Sequence, residues 1–309
     1  MASLMARLIG GFLRTTGIYR NQFSDGPNFL DRVEKLQNGP QQLPTLKMKA
    51  KLSVRETKLD GRSIWHIAPK HRAPTAHILY FHGGGYVFPA VSVHWDFMAY
   101  MATHYGMAFT APLYPLAPTA KADETIDFAM KAYHAFTAEH SGPFVMSGDS
   151  AGGGLSAVVA QRARDEGLRA ASGLVLICPW LDATVSHADQ PQIAKRDCIL
   201  TISGTARCGS EYAGDIPITD PRISPLNGNW DALPPILCFG GGDDILVTDA
   251  RRLKEKLPAV DYVEVAGVMH VWPIFYLPRI AQRTAADRAI CGESDGLGYL
   301  RRAGQRRCL

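Results

Sequence analysis

The chain has 309 residues, 46% hydrophobic and 20% charged, enough for one large domain with a well-buried core and too apolar for a disordered or fibrous protein. Its formal net charge of +4 is matched by four arginines close to the C-terminus, Arg301, Arg302, Arg306 and Arg307. The remainder is therefore near neutrality, which excludes a broad basic surface and with it nucleic acid as a partner.

The opening apolar run is interrupted by Arg7 and Gly10-Gly11, a pattern expected of an amphipathic capping helix rather than an export signal. Residues 1–45 carry helical patterns and turn signals but no strand, so they are expected to fold over another part of the molecule. Two alternating runs, 48–54 and 63–67, flank Leu59-Asp-Gly-Arg62, and Asp-Gly between alternating runs predicts a hairpin at a sheet edge.

From residue 76 short apolar strands alternate with helical segments, the pattern of a parallel sheet with crossover helices. Strands are expected at 76–81, 108–112, 143–147, 173–178, 235–239 and 262–266, and helices at 94–104, 123–140, 150–166 and 249–257. The fold class is α/β, with a mostly parallel central sheet flanked by helices. Residues 180–215 lack a strand and exceed a simple crossover, so they form an insertion, placed over the edge where open α/β sheets bind ligands. The catalytic body would then comprise 46–179 and 216–288, with 289–309 a tail of no assigned role. No apolar run approaches the roughly 18 to 20 residues of a membrane-spanning helix, so no stable membrane association is expected. Six cysteines, Cys178, Cys198, Cys208, Cys238, Cys291 and Cys308, include no Cys-x-x-Cys and read as reduced thiols of a cytoplasmic protein.

Chemistry concentrates at the ends of these strands. The strand at 143–147 runs into Gly148-x-Ser150-x-Gly152, a sharp strand-to-helix turn that exposes a strained serine at its tip. A serine before an apolar helix is commonly only an N-cap, but two flanking glycines and a preceding buried strand favour a nucleophile. Such a serine needs a histidine base, itself oriented by a carboxylate, in the order Ser, Asp, His. His270 follows the last strand, and Asp243, Asp244 and Asp249 follow the one before. After the strand at 76–81 comes His82-Gly-Gly-Gly85, whose backbone N–H groups, with that of Ala151, can face a developing oxyanion. His82 itself reads as an organiser of that loop, and Asp149 as a carboxylate favoured by the helix dipole. Tyr86, Phe88, Trp95 and Trp272 are candidates for a pocket wall, although isolated aromatics more often serve the core.

The chain resembles the hormone-sensitive-lipase-like family of bacterial α/β-hydrolase esterases. The resemblance is carried by His82-Gly-Gly-Gly-Tyr86, Tyr114-Pro-Leu-Ala-Pro118, Gly148-Asp-Ser-Ala-Gly-Gly153, Pro179-Trp-Leu-Asp182, Asp220-Pro-Arg-Ile-Ser-Pro-Leu226, Asp243-Asp-Ile-Leu246 and His270-Val-Trp-Pro273. It implies a carboxylic ester hydrolase with Ser150, Asp244 and His270 as triad, and short to medium acyl chains are expected because a cap would close the pocket and no broad apolar lid is evident. Asp244 is chosen on the family's acidic residue followed by an apolar pair, with Asp243 in reserve. The resemblance further implies an oxyanion hole of Gly83, Gly84 and Ala151, and a helical cap formed by the N-terminal segment and the insertion.

Rivals are a lactone or amide hydrolase on the same triad, and a non-catalytic small-molecule receptor, which the presence of both Ser150 and His270 disfavours. Gly152-x-Gly154-x-x-Ala157 matches a dinucleotide fingerprint only formally, because these glycines fall inside the helix start rather than in the turn. No His-Glu-x-x-His or Cys-x-x-Cys metal pattern occurs. The expectation is a cofactor-free, metal-free enzyme acting on a small-molecule ester, compatible with a homodimer.

Overall fold

The computed structural model describes residues 4–276. The expected tail at 289–309, with Cys291 and Cys308, lies outside the described residues. The chain opens with helices α1 (Leu4–Thr16), α2 (Ile18–Gln22), α3 (Phe29–Asn38) and α4 (Leu46–Lys51), then strands β1 (Leu52–Leu59), β2 (Arg62–Pro69) and β3 (Ala76–Phe81). Next come α5 (Ser92–Tyr105), β4 (Met107–Pro112), α6 (Ala122–Glu139), β5 (Phe144–Asp149), α7 (Ala151–Asp165) and β6 (Gly173–Ile177). Helices α8 (Gln190–Ile193) and α9 (Ile202–Ala213) precede β7 (Ile236–Gly241), α10 (Val247–Lys256), β8 (Asp261–Val265) and α11 (Trp272–Tyr276).

The eight strands form one sheet in the order β1-β2-β4-β3-β5-β6-β7-β8. β1 and β2 pair antiparallel, as do β2 and β4, and all other pairs are parallel. Every residue of β4, β5 and β7 is buried, which is why these strands read as unbroken apolar runs rather than alternations. The hairpin turn is the expected one: Asp60 (φ 49°) and Gly61 (φ 79°) both take the left-handed backbone that a two-residue turn requires.

One boundary differs from expectation. Residues 48–51 begin no strand but end α4, whose N-cap Thr45 accepts the N–H of Met48 at 3.3 Å. Alternating lysines and apolar residues fit either conformation, and the cap together with the lack of β-branched side chains in Leu46–Lys51 favours the helix.

The connection from β3 to β4 leaves to one side of β3, while β5 returns to the other. The crevice between the carboxyl ends of β3 and β5 is thus the topological switch point, where such sheets bind ligands. Residues 10–40 pack over this edge. Gln37 Nε2 donates to the carbonyls of Val87 and Ala117, both at 2.7 Å, and Phe23 and Phe29 lie edge-on to Phe88. The same helices meet the strandless 180–215 segment: Arg20 Nη1 donates to Asp197 O at 3.0 Å and the Thr201 hydroxyl donates to Phe23 O. Among the described residues no helix is long and apolar enough to cross a membrane.

Asp249, in the first turn of α10, is buried, and its Oδ2 accepts the N–H groups of Leu181 and Asp182, each at 2.9 Å. Burial raises its pKa to about 7 despite those bonds. An unfolded aspartate titrates near 3.9, so over the interval above that value the native state holds a proton the unfolded state has released, and stability falls as pH rises. Urea unfolding is therefore expected to show a smaller loss of stability between about pH 5 and pH 8 in Asp249→Asn than in wild type. Identical pH dependence in the two proteins would exclude this role.

Candidate active site

Ser150 sits between β5 and α7 with φ 52° and ψ −123°, a backbone that a non-glycine residue adopts only when its surroundings impose it. They do so through hydrogen bonds and crowding. Ser150 N–H donates to Ile177 O at 2.9 Å, and Ser150 O accepts from Gly154 N–H at 3.1 Å and Trp180 N–H at 2.9 Å. A Cβ on Gly148 would collide with the carbonyl of Gly152, and one on Gly152 with the carbonyls of Phe81 and His82. Both flanking positions thus require glycine for close approach.

Asp244 and His270 arrive on loops after β7 and β8. These loops are tied together by Asp243 N–H to Val268 O and Gly242 N–H to Val265 O, both 2.9 Å. His270 Nδ1 lies 2.7 Å from Asp244 Oδ2, and both side chains are buried. The other carboxylate oxygen, Oδ1, accepts Leu246 N–H at 2.8 Å, so Asp244 is fixed on both sides. Burial opposes charging His270, but Asp244, with lesser help from Asp197 and Asp149, outweighs it and raises the imidazole pKa above its ordinary value. Of the other acidic candidates, Asp243 pairs with Arg196 at 2.9 Å, and Asp249 holds the 181–182 backbone. Ser150 and His270 line the same cavity, but no hydrogen bond joins their side chains.

The loop after β3 departs from expectation at Gly83. Its N–H donates to Asp149 Oδ1 at 2.9 Å, so it is committed within the protein and is not available to a ligand. Gly83 must be glycine because a Cβ there would overlap the Asp149 carboxylate. The N–H groups of Gly84 and Gly85 carry no such bond, nor does that of Ala151, a first-turn donor of α7. Asp149 also accepts the Tyr80 hydroxyl at 2.6 Å and faces His94 Nε2 at 3.5 Å. Burial works against its charge, yet His94 and Tyr80 outweigh it and hold the carboxyl below its usual range. Asp149 is thus an anchor for the glycine loop, a role helix-dipole reasoning did not reach. His82 organises the loop as expected, its ring stacked on Tyr114 at 4.4 Å and kept neutral by burial, with a pKa lowered to about 4. His94 carried no sequence signal, since it lies on a helix without a motif.

The cavity above Ser150 spans roughly 540 Å³ counting its mouth. Tyr19, Phe23, Phe88, Val91, Ile199, Ile274 and Phe275 give it an apolar wall, and among the described residues no lysine or arginine lines it. Of the four aromatic wall candidates only Phe88 faces it. Tyr86 stacks on Tyr212, Trp95 packs edge-on to Trp65, and Trp272 lies edge-on to Phe239. Cys178, Asp244 and His270 present atoms within 4.8 Å of one another, a spacing a metal could use. Burial and the Asp244 charge push the Cys178 thiol well above its ordinary range, and the nearest Asp244 and His270 atoms are already bonded to each other at 2.7 Å.

A family model described as the alpha/beta hydrolase fold matches residues 78–274. Esterase LipI of Mycobacterium tuberculosis is 30% identical over 248 residues, which cover 74% of this chain and 76% of that protein. An esterase of Acinetobacter venetianus is 32% identical over 187 residues, 60% of this chain and 62% of that protein. Among solved structures, EstE7, a hormone-sensitive-lipase homologue from a metagenome library, superposes with a TM-score of 0.74 at 26% identity, covering 91% of this chain and 94% of that one.

Replacing Asp149 by alanine strands the Gly83 N–H and the Tyr80 hydroxyl, each unsatisfied buried group costing about 1–3 kcal/mol. Thermal unfolding of Asp149→Ala is expected to show a clearly lowered midpoint, with Asp149→Asn, which keeps an acceptor, between it and wild type. An alanine variant as stable as wild type would remove the anchoring role.

Proposed function

The chain belongs to the α/β-hydrolases, in their hormone-sensitive-lipase-like branch of esterases and lipases, and on that premise we propose that it is a serine carboxylesterase. The observation that carries this reading is the buried 2.7 Å contact between His270 and Asp244, facing the same cavity as a serine held in a strained elbow.

In the proposed reaction neutral His270 takes the proton of Ser150 through Nε2 as the serine oxygen bonds to the ester carbonyl carbon. Negative charge then moves to the carbonyl oxygen, where the N–H groups of Gly84, Gly85 and Ala151 receive it. The imidazolium, stabilised by Asp244, gives its proton to the departing alcohol as the C–O bond breaks, leaving an acyl-serine. Water, deprotonated by the same histidine, attacks that acyl group; the proton returns to Ser150 and the carboxylic acid departs. The absent Ser150–His270 hydrogen bond is no obstacle, because such contacts commonly tighten only when substrate is bound.

The substrate is a neutral ester of short to medium acyl length. The apolar wall favours hydrocarbon, and α2 with α11 limits the cavity's reach, Tyr19 meeting Phe275 edge-on at 5.6 Å. Residues 1–45 and 180–215 are read as the two parts of a cap over the site, supported by the bonds that join them. The four described cysteines form no disulfide, which supports a cytoplasmic setting.

p-Nitrophenyl esters of increasing acyl length test the reading. Ser150→Ala is expected to lose on the order of 10⁶ in kcat and Asp244→Asn about 10⁴; equal hydrolysis by wild type and Ser150→Ala would overturn it. Only neutral imidazole is a base, so kcat/KM falls as pH drops through the His270 pKa. Because that pKa is raised, the acid limb is expected above the ordinary imidazole value of about 6.5. A limb at or below that value would contradict the raised pKa of His270.

A further inference from the structure

Beside the site lies a buried carboxylate that the proposed reaction does not use. Asp197, between α8 and α9, has no solvent exposure. Its Oδ1 accepts the N–H groups of Ile199 at 2.8 Å and Leu200 at 2.9 Å, and its Oδ2 accepts Ile245 N–H at 2.9 Å. Ile245 immediately follows Asp244, and the next N–H, that of Leu246, bonds Asp244 itself. Successive peptide groups of one turn therefore serve two different carboxylates. On the other side, Ile199 forms part of the cavity wall.

The carboxylate of Asp197 accepts from backbone only; no lysine or arginine pairs with it among the described residues. The titratable and charged groups around it are Asp244, His270, Cys198 and Arg20, whose guanidinium donates to the Asp197 main-chain carbonyl at 3.0 Å rather than to its carboxylate. Burial and the Asp244 charge raise the Asp197 pKa to about 6, so it is an anion at neutral pH. His270 in turn faces Asp244, Asp197 and Asp149, with Cys178 beside Asp244. Arg20 is charged throughout, so His270 is the cation-forming member of this group whose charge changes near neutral pH.

We infer that Asp197 is a positioning residue of the active site: it fixes the Asp244 turn to the cavity wall through Ile245 and adds a second negative charge in favour of protonated His270. This rests on the triad reading above. The geometry distinguishes it from packing alone, because both oxygens are required as acceptors. Asparagine at this position would turn an NH₂ group against either Ile245 or the Ile199–Leu200 pair, and would carry no charge.

The test uses full-length Asp197→Asn and Asp197→Glu. Imidazole NMR titration of His270, with the serine replaced (Ser150→Ala), is set beside the pH profile of ester hydrolysis with Ser150 present. Asp197→Asn is expected to lower both the His270 titration and the acid limb of kcat/KM by about 0.5–1 pH unit. It should also reduce kcat roughly tenfold with little change in KM, as loss of an outer support does. Asp197→Glu should restore the charge and move both pH values back toward wild type. A lowered thermal midpoint with the His270 titration unmoved would make Asp197 merely structural and overturn the inference. If the variants do not fold, the Ile245 amide of the wild type decides: its proton resonance must move in the pH range where His270 titrates, and a flat response overturns the inference. A wild type that hydrolyses no ester would instead overturn the triad reading, while the titrations still report on the Asp197–His270 coupling.

Discussion

The arrangement of the site depends on how closely α7 enters against the end of β3. The absence of a Cβ at Gly148 and Gly152 lets the turn pass beneath the carbonyls of Phe81 and His82. That approach sets several groups at once. It strains Ser150, frees the Ala151 N–H at the head of the helix, and brings Asp149 up to the Gly83 N–H. The glycine loop and the elbow are therefore one mechanical unit joined by a carboxylate, although 66 residues of chain separate Gly83 from Asp149.

Buried carboxylates recur as the means of holding this edge. Asp149 binds the loop after β3, Asp244 and Asp197 bind adjacent peptides of the turn after β7, and Asp249 binds the backbone at 181–182. Loops at a sheet edge cannot satisfy their N–H groups in the ladder, and where they are buried another acceptor must be found. Here side chains supply it. Three of these carboxylates, Asp244, Asp197 and Asp149, bear on the imidazole at the centre of the region and hold it above its ordinary pKa.

Much of this was legible in the sequence because it stems from local patterns. The six parallel strands fall within two residues of expectation at either end, since unbroken apolar runs between turn signals leave little freedom. Ser150 and His270 follow from strand ends and chain order, Asp244 only from the family resemblance, and the structure brings Asp244 and His270 into contact. What remained illegible was set by tertiary geometry. Gly83 looked like a donor because the pattern displays three glycines without showing that a carboxylate stands behind the first. Asp197 belongs to a segment without regular periodicity, so nothing local tells that its side chain reaches the peptide after Asp244. Tyr86, Trp95 and Trp272 pack on other aromatic rings while Phe88 lines the cavity, a difference no local pattern carries. The helical start at 46–51 turned on a single threonine cap.

The described cavity wall, which holds no lysine or arginine, also bears on how the product leaves once the ester bond is cleaved. An uncharged ester enters at little electrostatic cost, but the acid it yields ionises at neutral pH and is then an anion beside Asp149 and an apolar lining. Among the described residues of the wall no lysine or arginine holds it back. Repulsion from Asp149 then favours release of the product, so for the proposed reaction the lining that admits the reactant also hastens the departure of the acid.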